Sequence, residues 1–336
     1  MTTSRRYPSS TDVARLAGVS QSAVSRAFSE GGSVSEETSR KVFEAAKKLG
    51  YSPNLLPRIL RKHRSNLVAV VISGTDNPFY ASALEEFTRE LQATGHQVLL
   101  VHVDGDHSLD GVVPRLASYR VDAIVSALPV LSKDAAKAFA NVRVPTISFN
   151  TPVRNRWVTS VCSDGAQGAS AVADLFVARG ARRFGFIAGS EGSHASDERL
   201  AGYRGRLRAH GHAGIELAAG DDTYEGGLRA VRELRDRGAL PDAIFCANDL
   251  MAIGVLDGLR RSFGMRVPED VLVAGFDDVP EASWLAYDLT TVVQDGKAMV
   301  AEAMGILQTM MSSSTSTGGI QRLVPGRLIE RSTTRR

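Results

Sequence analysis

The sequence predicts a small all-α unit at the N-terminus, followed by a larger α/β body built on two doubly wound parallel sheets. Two observations lead to this fold class. In the first 65 residues, short helical segments are separated by glycines. From residue 66 onward, short β-rich runs such as LVAVVI alternate with amphipathic stretches such as ALEEFTRELQ. Strands that alternate with helices favour parallel sheets with helices on both faces.

The net charge is distributed unevenly along the 336 residues. Residues 1–65 carry 12 lysines and arginines against 5 acidic residues, a net charge of +7, whereas the remainder carries 28 against 32, a net charge of −4. A basic head on a larger acidic body indicates an anionic polymer as partner, either nucleic acid or a membrane surface.

Residues 12–28, DVARLAGVSQSAVSRAF, predict two short helices joined by a tight turn. Ser10 or Thr11 is expected to cap the first helix, and Gly18 to end it in the left-handed conformation. Ser20 then caps the second helix. The first helix is expected to turn three apolar side chains inward: Val13, Leu16 and Ala17.

The second helix, predicted over residues 21–29, has two chemically different faces. Val24, Ala27 and Phe28 are expected to face the core. The opposite face carries hydroxyls, an amide and a guanidinium but no carboxylate: Gln21, Ser22, Ser25, Arg26 and Ser29. A solvated helix face usually mixes both signs of charge, whereas this one suits phosphates and base edges.

A third helix, capped by Ser35 and closed by Gly50, is expected to complete the head. Its apolar positions are Val42, Ala45, Ala46 and Leu49. Together the three helices predict a helix-turn-helix unit, whose second helix has the length that the major groove of DNA accommodates. The alternative is a small helical subdomain with a merely polar face.

Residues 11–54 resemble the headpiece of the lactose/galactose repressor (LacI/GalR) family, through the segments DVA..AGVS...VSR and GY.PN. The resemblance implies that Gln21, Ser22 and Arg26 read base edges. It implies contacts with the DNA backbone for a second set: Ser20, Ser25, Ser29, Ser35, Thr38, Tyr51 and Asn54.

The hinge segment, residues 54–65, is basic and joins the head to the body. In the family this segment forms a short helix on DNA and inserts a leucine into the minor groove, and Leu60 matches that leucine. Pro57 departs from the family pattern, which usually has alanine there. Because proline disfavours helical angles at the preceding residue, the hinge helix is expected to begin at Pro57 and to be short.

Polar side chains follow several strand-like runs of the body. Because ligands of such sheets bind at the carboxyl ends of strands, these side chains predict one cleft, although each alone can equally cap a helix or a turn. Amides, carboxylates and a guanidinium suit vicinal hydroxyls, and Phe79 and Tyr80 can pack on a ring. The family resemblance decides between these two interpretations, and it implies effector contacts for Asn77, Phe79, Asn150, Arg199, Asp222, Asn248 and Asp277.

The resemblance covers nearly the whole chain and implies the two-lobed fold of periplasmic sugar-binding proteins. The chain is expected to cross between the lobes near Gln294 and again near Leu323. The implied domains are a head of residues 1–53, the hinge 54–65, a first lobe of 66–162 with 294–322, and a second lobe of 163–293 with 323–336.

These features predict a dimeric, DNA-binding regulator, usually a repressor in this family. It binds a palindromic operator with an affinity that a small polar metabolite, a sugar or sugar derivative, alters. No catalytic residue, metal or cofactor is predicted, because the sequence contains no phosphate-binding glycine loop and no set of metal ligands at useful spacing.

The cellular setting follows from composition. The N-terminal residues lack a signal-peptide pattern, no apolar run is long enough to span a bilayer, and only two cysteines, Cys162 and Cys246, are present. A cytoplasmic protein without a membrane partner is therefore expected.

Three alternatives stay open at this stage. A transport-type sugar-binding protein would share the body but would need a signal peptide and no basic head. A regulator without a ligand would keep the cleft for structural reasons only. An α/β hydrolase would use Ser190 of AGSEG as a nucleophile, but SHASDE separates this serine from a following helix.

Overall fold

The structure is a computed structural model that describes residues 7–29, 32–53, 65–73, 76–103, 115–116, 118–128, 137, 141, 144–153, 158–312 and 319–335. The chain divides into two compact units, Met1–Ser65 and Asn66–Arg336. We call them the head and the body.

Three helices build the head: α1 (Ser10–Ala17), α2 (Gln21–Ala27) and α3 (Glu36–Leu49). The caps predicted for α2 and α3 are confirmed, since the side chain of Ser20 accepts from the backbone N–H of Ala23 and that of Ser35 accepts from Thr38. Gly18 and Gly50 end α1 and α3 with φ of 66° and 62°. Both angles lie in the left-handed region that glycine adopts at little cost.

The start of α1 differs from the prediction. Ser9 caps the helix, not Ser10 or Thr11, and its hydroxyl accepts from the N–H of Asp12 at 3.3 Å. Asp12 accepts in return from the N–H of Ser9 at 2.9 Å. This reciprocal pair is a capping box, which satisfies two backbone donors at once and therefore outcompetes a single capping hydroxyl.

Two further details of the head prediction were wrong. Leu16 is 51% exposed, and Ala14 takes the inward position beside Val13. The buried residues of α1 are therefore the consecutive Val13 and Ala14, because α2 and α3 both pack against this side of the helix. Helix α2 ends at Ala27, two residues earlier than predicted, with Phe28 as its C-cap.

A small apolar core holds the three helices together. Its buried members are Val13, Ala14, Val24, Val42, Ala45 and Ala46. The ring of Phe28 meets Phe43 and Tyr51 edge to face, with centroids 5.0 Å and 5.8 Å apart. Burial of α1, α2 and α3 on one core fixes the orientation of the exposed face of α2.

The first sheet of the body has the strand order β11-β5-β4-β3-β1-β2 and is parallel throughout. Its strands are β1 (Leu67–Ile72), β2 (Gln97–His102), β3 (Ala123–Ala127), β4 (Thr146–Phe149), β5 (Val158–Asp164) and β11 (Gln321–Pro325). Helices α4 (Pro78–Ala93) and α9 (Gly296–Ser312) bury their apolar faces in its core.

The second sheet has the strand order β12-β10-β9-β8-β6-β7, and only the edge strand β12 is antiparallel to its neighbour. Its strands are β6 (Phe184–Ala188), β7 (Ile215–Ala219), β8 (Ala243–Cys246), β9 (Leu272–Asp277), β10 (Thr290–Val293) and β12 (Arg327–Ile329). The helices that pack with it are α5 (Gly165–Ala178), α6 (His194–Ala209), α7 (Tyr224–Asp236) and α8 (Asp249–Asp257).

Two such sheets with flanking helices confirm the predicted fold class. The chain passes from one sheet to the other after Asp164, after Val293 and after Pro325. The last crossing falls beyond the expected Leu323, because Leu323 pairs with Cys162 in the first sheet. In the described part of the chain, no helix combines the length and apolar character needed to cross a membrane.

Candidate functional site

The exposed face of α2 matches the face predicted from the sequence. All five of its polar side chains are exposed: Gln21, Ser22, Ser25, Arg26 and Ser29. The amide of Gln21 donates to the hydroxyl of Ser10 at 2.9 Å, which ties the start of α2 to α1. Because α2 itself contains no acidic residue, the face presents one positive charge among neutral donors and acceptors.

The residues expected to hold phosphates are spread over the head. The hydroxyls of Ser20 and Ser22 lie 2.9 Å apart, and Ser29 donates to the carbonyl of Ser25 at 2.8 Å. A serine hydroxyl that donates in this way keeps its lone pairs, and its single proton must rotate away from the present acceptor to bond a phosphate.

Ser35 donates to the hydroxyl of Thr38 at 2.9 Å at the start of α3. Tyr51 lies partly buried against Phe28. Asn54 and Leu60, with most of the hinge segment, lie outside the described residues.

The body contains a cleft of about 210 Å³ between the two sheets, at the carboxyl ends of their strands. Residues from both lobes line this cleft. All seven candidate effector residues are among them: Asn77, Phe79, Asn150, Arg199, Asp222, Asn248 and Asp277. Parallel strands place their carboxyl ends at one edge, and for this reason residues 200 positions apart meet here.

A hydrogen bond joins the two lobes across the cleft. The amide nitrogen of Asn77 donates to Oδ2 of Asp277 at 2.9 Å. The amide oxygen of Asn77 accepts at the same time from the N–H of Phe79 and so caps α4. Asn77 is therefore both a structural cap and a link to the second lobe.

Arg199 lies at the floor of the cleft, where it is only 5% exposed. Its guanidinium stacks on the ring of Phe276 at 3.7 Å and donates to the carbonyl of Ala247. Its Nη2 lies 3.3 Å from Oε1 of Gln294 and 3.6 Å from Oδ1 of Asp277. The charge of this arginine is thus balanced within the protein.

Asp277 is the buried carboxylate of the cleft. It accepts from Asn77 and, at 2.9 Å, from Nε2 of Gln294. Burial raises the pKa of Asp277 to about 6, although Arg199 and these two amides favour its ionised form. Desolvation of a carboxylate disfavours the charged form, and here it outweighs the neighbouring cation.

Asp222 and Asn248 line the cleft on the side of the second lobe. Asn248 caps α8 and donates to the backbone carbonyl of Asp222 at 3.0 Å. A carboxylate oxygen of Asp222 accepts from the N–H of Ser190 at 2.9 Å. Asp222 has a φ of 62°, a left-handed conformation that aspartate and asparagine tolerate better than most residues.

Asn150 completes the wall of the first lobe. It has a φ of 61°, and its side chain accepts from the N–H of Ser163 at 3.3 Å. Phe79 stacks on Phe149, with centroids 6.1 Å apart, and presents an apolar surface to the cleft.

Several lining residues were not among the seven candidates. They are Ser73, Asp76, Tyr80, Ala127, Ser190, Ser193, Ala195, Ser196, Asp221, Thr223, Ala247 and Gln294. Ser73, Ala247 and Gln294 directly follow β1, β8 and β10, so the rule that points to strand ends would have found them. Tyr80 was expected to pack on a ring, and most of the others lie on turns after strands or in the first turns of helices.

The surroundings of Ser190 do not match a nucleophile elbow. Strand β6 ends at Ala188 and α6 starts at His194, so a turn separates the serine from the helix. Among the described residues that line the cleft, none is a histidine. A strand-turn-helix elbow requires the nucleophile at the strand-to-helix junction, with a histidine base within reach.

A basic head with a helix-turn-helix and a two-lobed body with a polar cleft define the class of ligand-responsive DNA-binding regulators. Comparisons with known proteins specify the class. The model of the lacI family of bacterial regulatory proteins matches residues 11–54, and that of the periplasmic binding protein-like domain matches residues 173–334.

Full-length relatives agree with these matches. The HTH-type transcriptional regulator AscG of Escherichia coli K12 is 36% identical over 309 residues, which cover 89% of this chain and 91% of the relative. CelR of Thermobifida fusca is 34% identical over 323 residues, covering 93% and 94%. The chain therefore belongs to the LacI family and is a transcriptional regulator.

Solved structures show the same architecture. The lac repressor dimer bound to operator and to an anti-inducer matches with a TM-score of 0.87 and 26% identity, covering 98% of this chain and 99% of that one. A CelR–cellobiose complex matches with a TM-score of 0.73 and 31% identity, covering 97% and 99%.

Proposed function

We propose that this protein represses transcription by binding a palindromic operator as a homodimer, and that a small polar ligand in the cleft of the body sets its affinity for that operator. Gln21, Ser22 and Arg26 read base edges in the major groove. The residues that hold the DNA backbone are Ser20, Ser25, Ser29, Ser35, Thr38, Tyr51 and Asn54, and Leu60 enters the minor groove.

The exposed face of α2 is the observation that carries the DNA-binding part. Gln21, Ser22, Ser25 and Arg26 stand on a helix that is fixed by a cap, by the Gln21–Ser10 bond and by a buried core, and Ser29 follows directly after its C-cap. A rigid donor-rich helix without carboxylates suits the major groove, where an arginine can contact guanine through two donors. The similarity to a lac repressor structure that contains operator DNA supports the same reading.

The proposed homodimer matches the two-fold symmetry of a palindromic operator. Two recognition helices related by a two-fold axis contact half-sites about one helical turn apart, which makes the operator palindromic. Exposed apolar side chains on the body provide surface that a second copy can bury. Leu285 is 100% exposed and the adjacent Trp284 is 54% exposed.

The cleft supports the effector part, and it binds its ligand without chemical transformation. Its lining joins both lobes through the Asn77–Asp277 bond, so a ligand there has different contacts when the lobes change their arrangement. A ligand shifts such an equilibrium only by its differential affinity for the two arrangements. CelR in complex with cellobiose and the ribose operon repressor of Escherichia coli support a sugar or sugar derivative. A regulator of bacterial operons acts in the cytoplasm.

The decisive experiment is selection of bound duplexes from a random DNA pool by the full-length protein at about 0.15 M salt, where surface charges are screened over about 8 Å. We expect enrichment of a palindrome with a flexible central pyrimidine–purine step, which a leucine wedge can open. A pool that enriches no site, both alone and with a metabolite extract, would contradict the proposal.

A further inference from the structure

The balance of charges in the cleft narrows the class of ligand. Arg199 is the one arginine or lysine among the described residues that line it. Its two terminal nitrogens already donate to Ala247 and Gln294, and Asp277 lies 3.6 Å away. Its Nε is buried and has no partner in the described part of the chain. Two of its five N–H donors are used within the protein, and the Asp277 carboxylate already offsets its charge, so an anionic ligand would bring a second negative charge beside Asp277.

Four aspartates line the same cleft, and they differ in how they are balanced. Asp277 is opposed by Arg199, and Asp221 forms an ion pair with Arg229. Asp76 and Asp222 have no cationic partner among the described residues. The lining of the cleft therefore carries two negative charges that no arginine or lysine of the described lining offsets.

The remaining polar groups of the cleft suit hydroxyls. Asn77, Asn150 and Asn248 are planar amides with a donor and an acceptor each, and the two unopposed carboxylates are acceptors only. A sugar hydroxyl donates to a carboxylate and accepts from an amide, whereas an anionic group would be repelled by the exposed carboxylate of Asp76 and the partly buried carboxylate of Asp222. Phe79 offers an apolar surface to a sugar ring.

From these contacts we infer that the effector is a neutral sugar or glycoside, and that the cleft rejects the carboxylated and phosphorylated forms of the same sugar. This inference rests on the proposed effector function of the cleft. Asp222 and Asp76 are the residues that exclude anions, while the charge of Arg199 is already offset by Asp277.

The test uses isothermal titration calorimetry of the full-length protein with matched sets of probes. The sets are glucose, glucuronate and glucose 6-phosphate; galactose, galacturonate and galactose 6-phosphate; ribose and ribose 5-phosphate; and cellobiose and cellobionate. In the set that binds most tightly, we expect the neutral member to bind at least about tenfold more tightly than its anionic forms. This ratio corresponds to the energy of one repulsive contact between partly screened charges.

Asp222→Asn is the diagnostic variant, because asparagine accepts from the N–H of Ser190 and tolerates the positive φ of this position. We expect it to shift the affinity ratio toward the anionic member by roughly fivefold or more. Asp76→Asn provides the same test at a second position. Asp236→Asn, at the exposed end of α7, removes an equal charge outside the cleft and should leave the ratio unchanged.

The outcomes separate the two proposals. Tighter or equal binding of a uronate, aldonate or sugar phosphate would overturn the exclusion of anions and leave the effector cleft intact. An unchanged ratio in both aspartate variants would overturn the roles of Asp222 and Asp76. If no probe of any class binds and none alters operator affinity, the proposed sugar-effector function itself fails.

Discussion

At the scale of single residues, the arginine of the DNA-binding face and the arginine of the cleft differ in solvent exposure. Arg26 is exposed, and in the described part of the head no carboxylate pairs with it, so its full charge and its donors are free for DNA. Arg199 is buried, stacked on Phe276 and opposed by Asp277, so it acts as part of the cleft floor. Arginine thus serves DNA recognition in the head, whereas in the body it organises the ligand cleft.

Arg26→Ala should reduce the sequence preference and leave binding to any DNA. A two-donor contact to guanine contributes about 1–3 kcal/mol to discrimination, whereas contacts to phosphates are independent of sequence. Fluorescence anisotropy with the selected operator and a scrambled duplex measures both affinities. Lys48→Ala, at the far end of α3, is the matched control for loss of one charge. An unchanged ratio of operator to scrambled affinity in Arg26→Ala would refute the assignment of Arg26.

Asp277 should make the stability of the body depend on pH. Its pKa in the folded protein, about 6, lies above the ordinary value of 3.8. Protonation therefore favours the folded state, and this contribution is largest below the unfolded pKa and is lost as pH rises through about 6.

Urea unfolding of wild type and Asp277→Asn between about pH 5 and pH 7.5 tests this pKa. Tryptophan fluorescence reports on the body alone, because Trp157 and Trp284 both lie there. The stability of wild type relative to Asp277→Asn should fall as pH rises. A constant difference across this range would show that Asp277 has an ordinary pKa.

At the scale of elements, the cleft depends on contacts that hold strand ends in place. Asp249, the first residue of α8, is fully buried. Its carboxyl group accepts from the hydroxyl of Thr291 at 2.6 Å and from the N–H of Val279 at 3.0 Å. These bonds tie α8 to β10 and to the turn that follows Asp277, the last residue of β9, which has a φ of 121°. Burial raises the pKa of Asp249 well above its usual value, which favours the neutral acid.

Asp249→Asn should preserve ligand affinity, since an amide can accept from Val279 and donate to Thr291. Asp249→Ala leaves a buried N–H and a buried hydroxyl without partners, at a cost of about 1–3 kcal/mol for each unsatisfied group. Ligand affinity from calorimetry and the free energy of unfolding are measured for both variants. Equal loss of affinity in the two variants would indicate that the negative charge matters, and not the hydrogen bonds.

At the scale of the whole molecule, the chain passes between the two sheets at three places, and the cleft lies between the lobes that these crossings join. Ligand binding and lobe arrangement are therefore linked. The Asn77–Asp277 bond is the direct contact of the two walls, and a ligand that inserts hydroxyls there must replace or extend it. Two heads must also be held at a fixed spacing for operator binding, which makes dimerisation a property of the entire chain.

Leu285→Asp should weaken the dimer, because it places a charge on the most exposed large apolar side chain of the described body. Light scattering over a range of concentrations should show a shift toward monomer, with a parallel loss of operator affinity. Tyr119→Asp changes another side chain, 54% exposed, and serves as the control. Retention of the wild-type dimer by Leu285→Asp would place the interface elsewhere.

Local chemistry made much of the molecule predictable. The caps Ser20 and Ser35, the left-handed Gly18 and Gly50, and the carboxylate-free face of α2 depend on neighbours within one or two turns, and the sequence by itself determined them. The rule that ligands meet strand ends, together with the resemblance to the family, selected seven residues that line one cavity. Leu16 was misplaced because its burial depends on where α2 and α3 pack.

Tertiary structure alone decided which of these groups meet and how their charges balance. Asn77 and Asp277 are 200 positions apart, and Gln294, Arg199 and Asp277 form one network only after three crossings between the sheets. Periodicity and turn chemistry act over a few residues, whereas burial, pKa shifts and the pairing of Arg199 arise from long-range convergence. The sequence therefore determined the class of the protein and the identity of its polar groups, and the fold decided which of those groups remain free for a ligand.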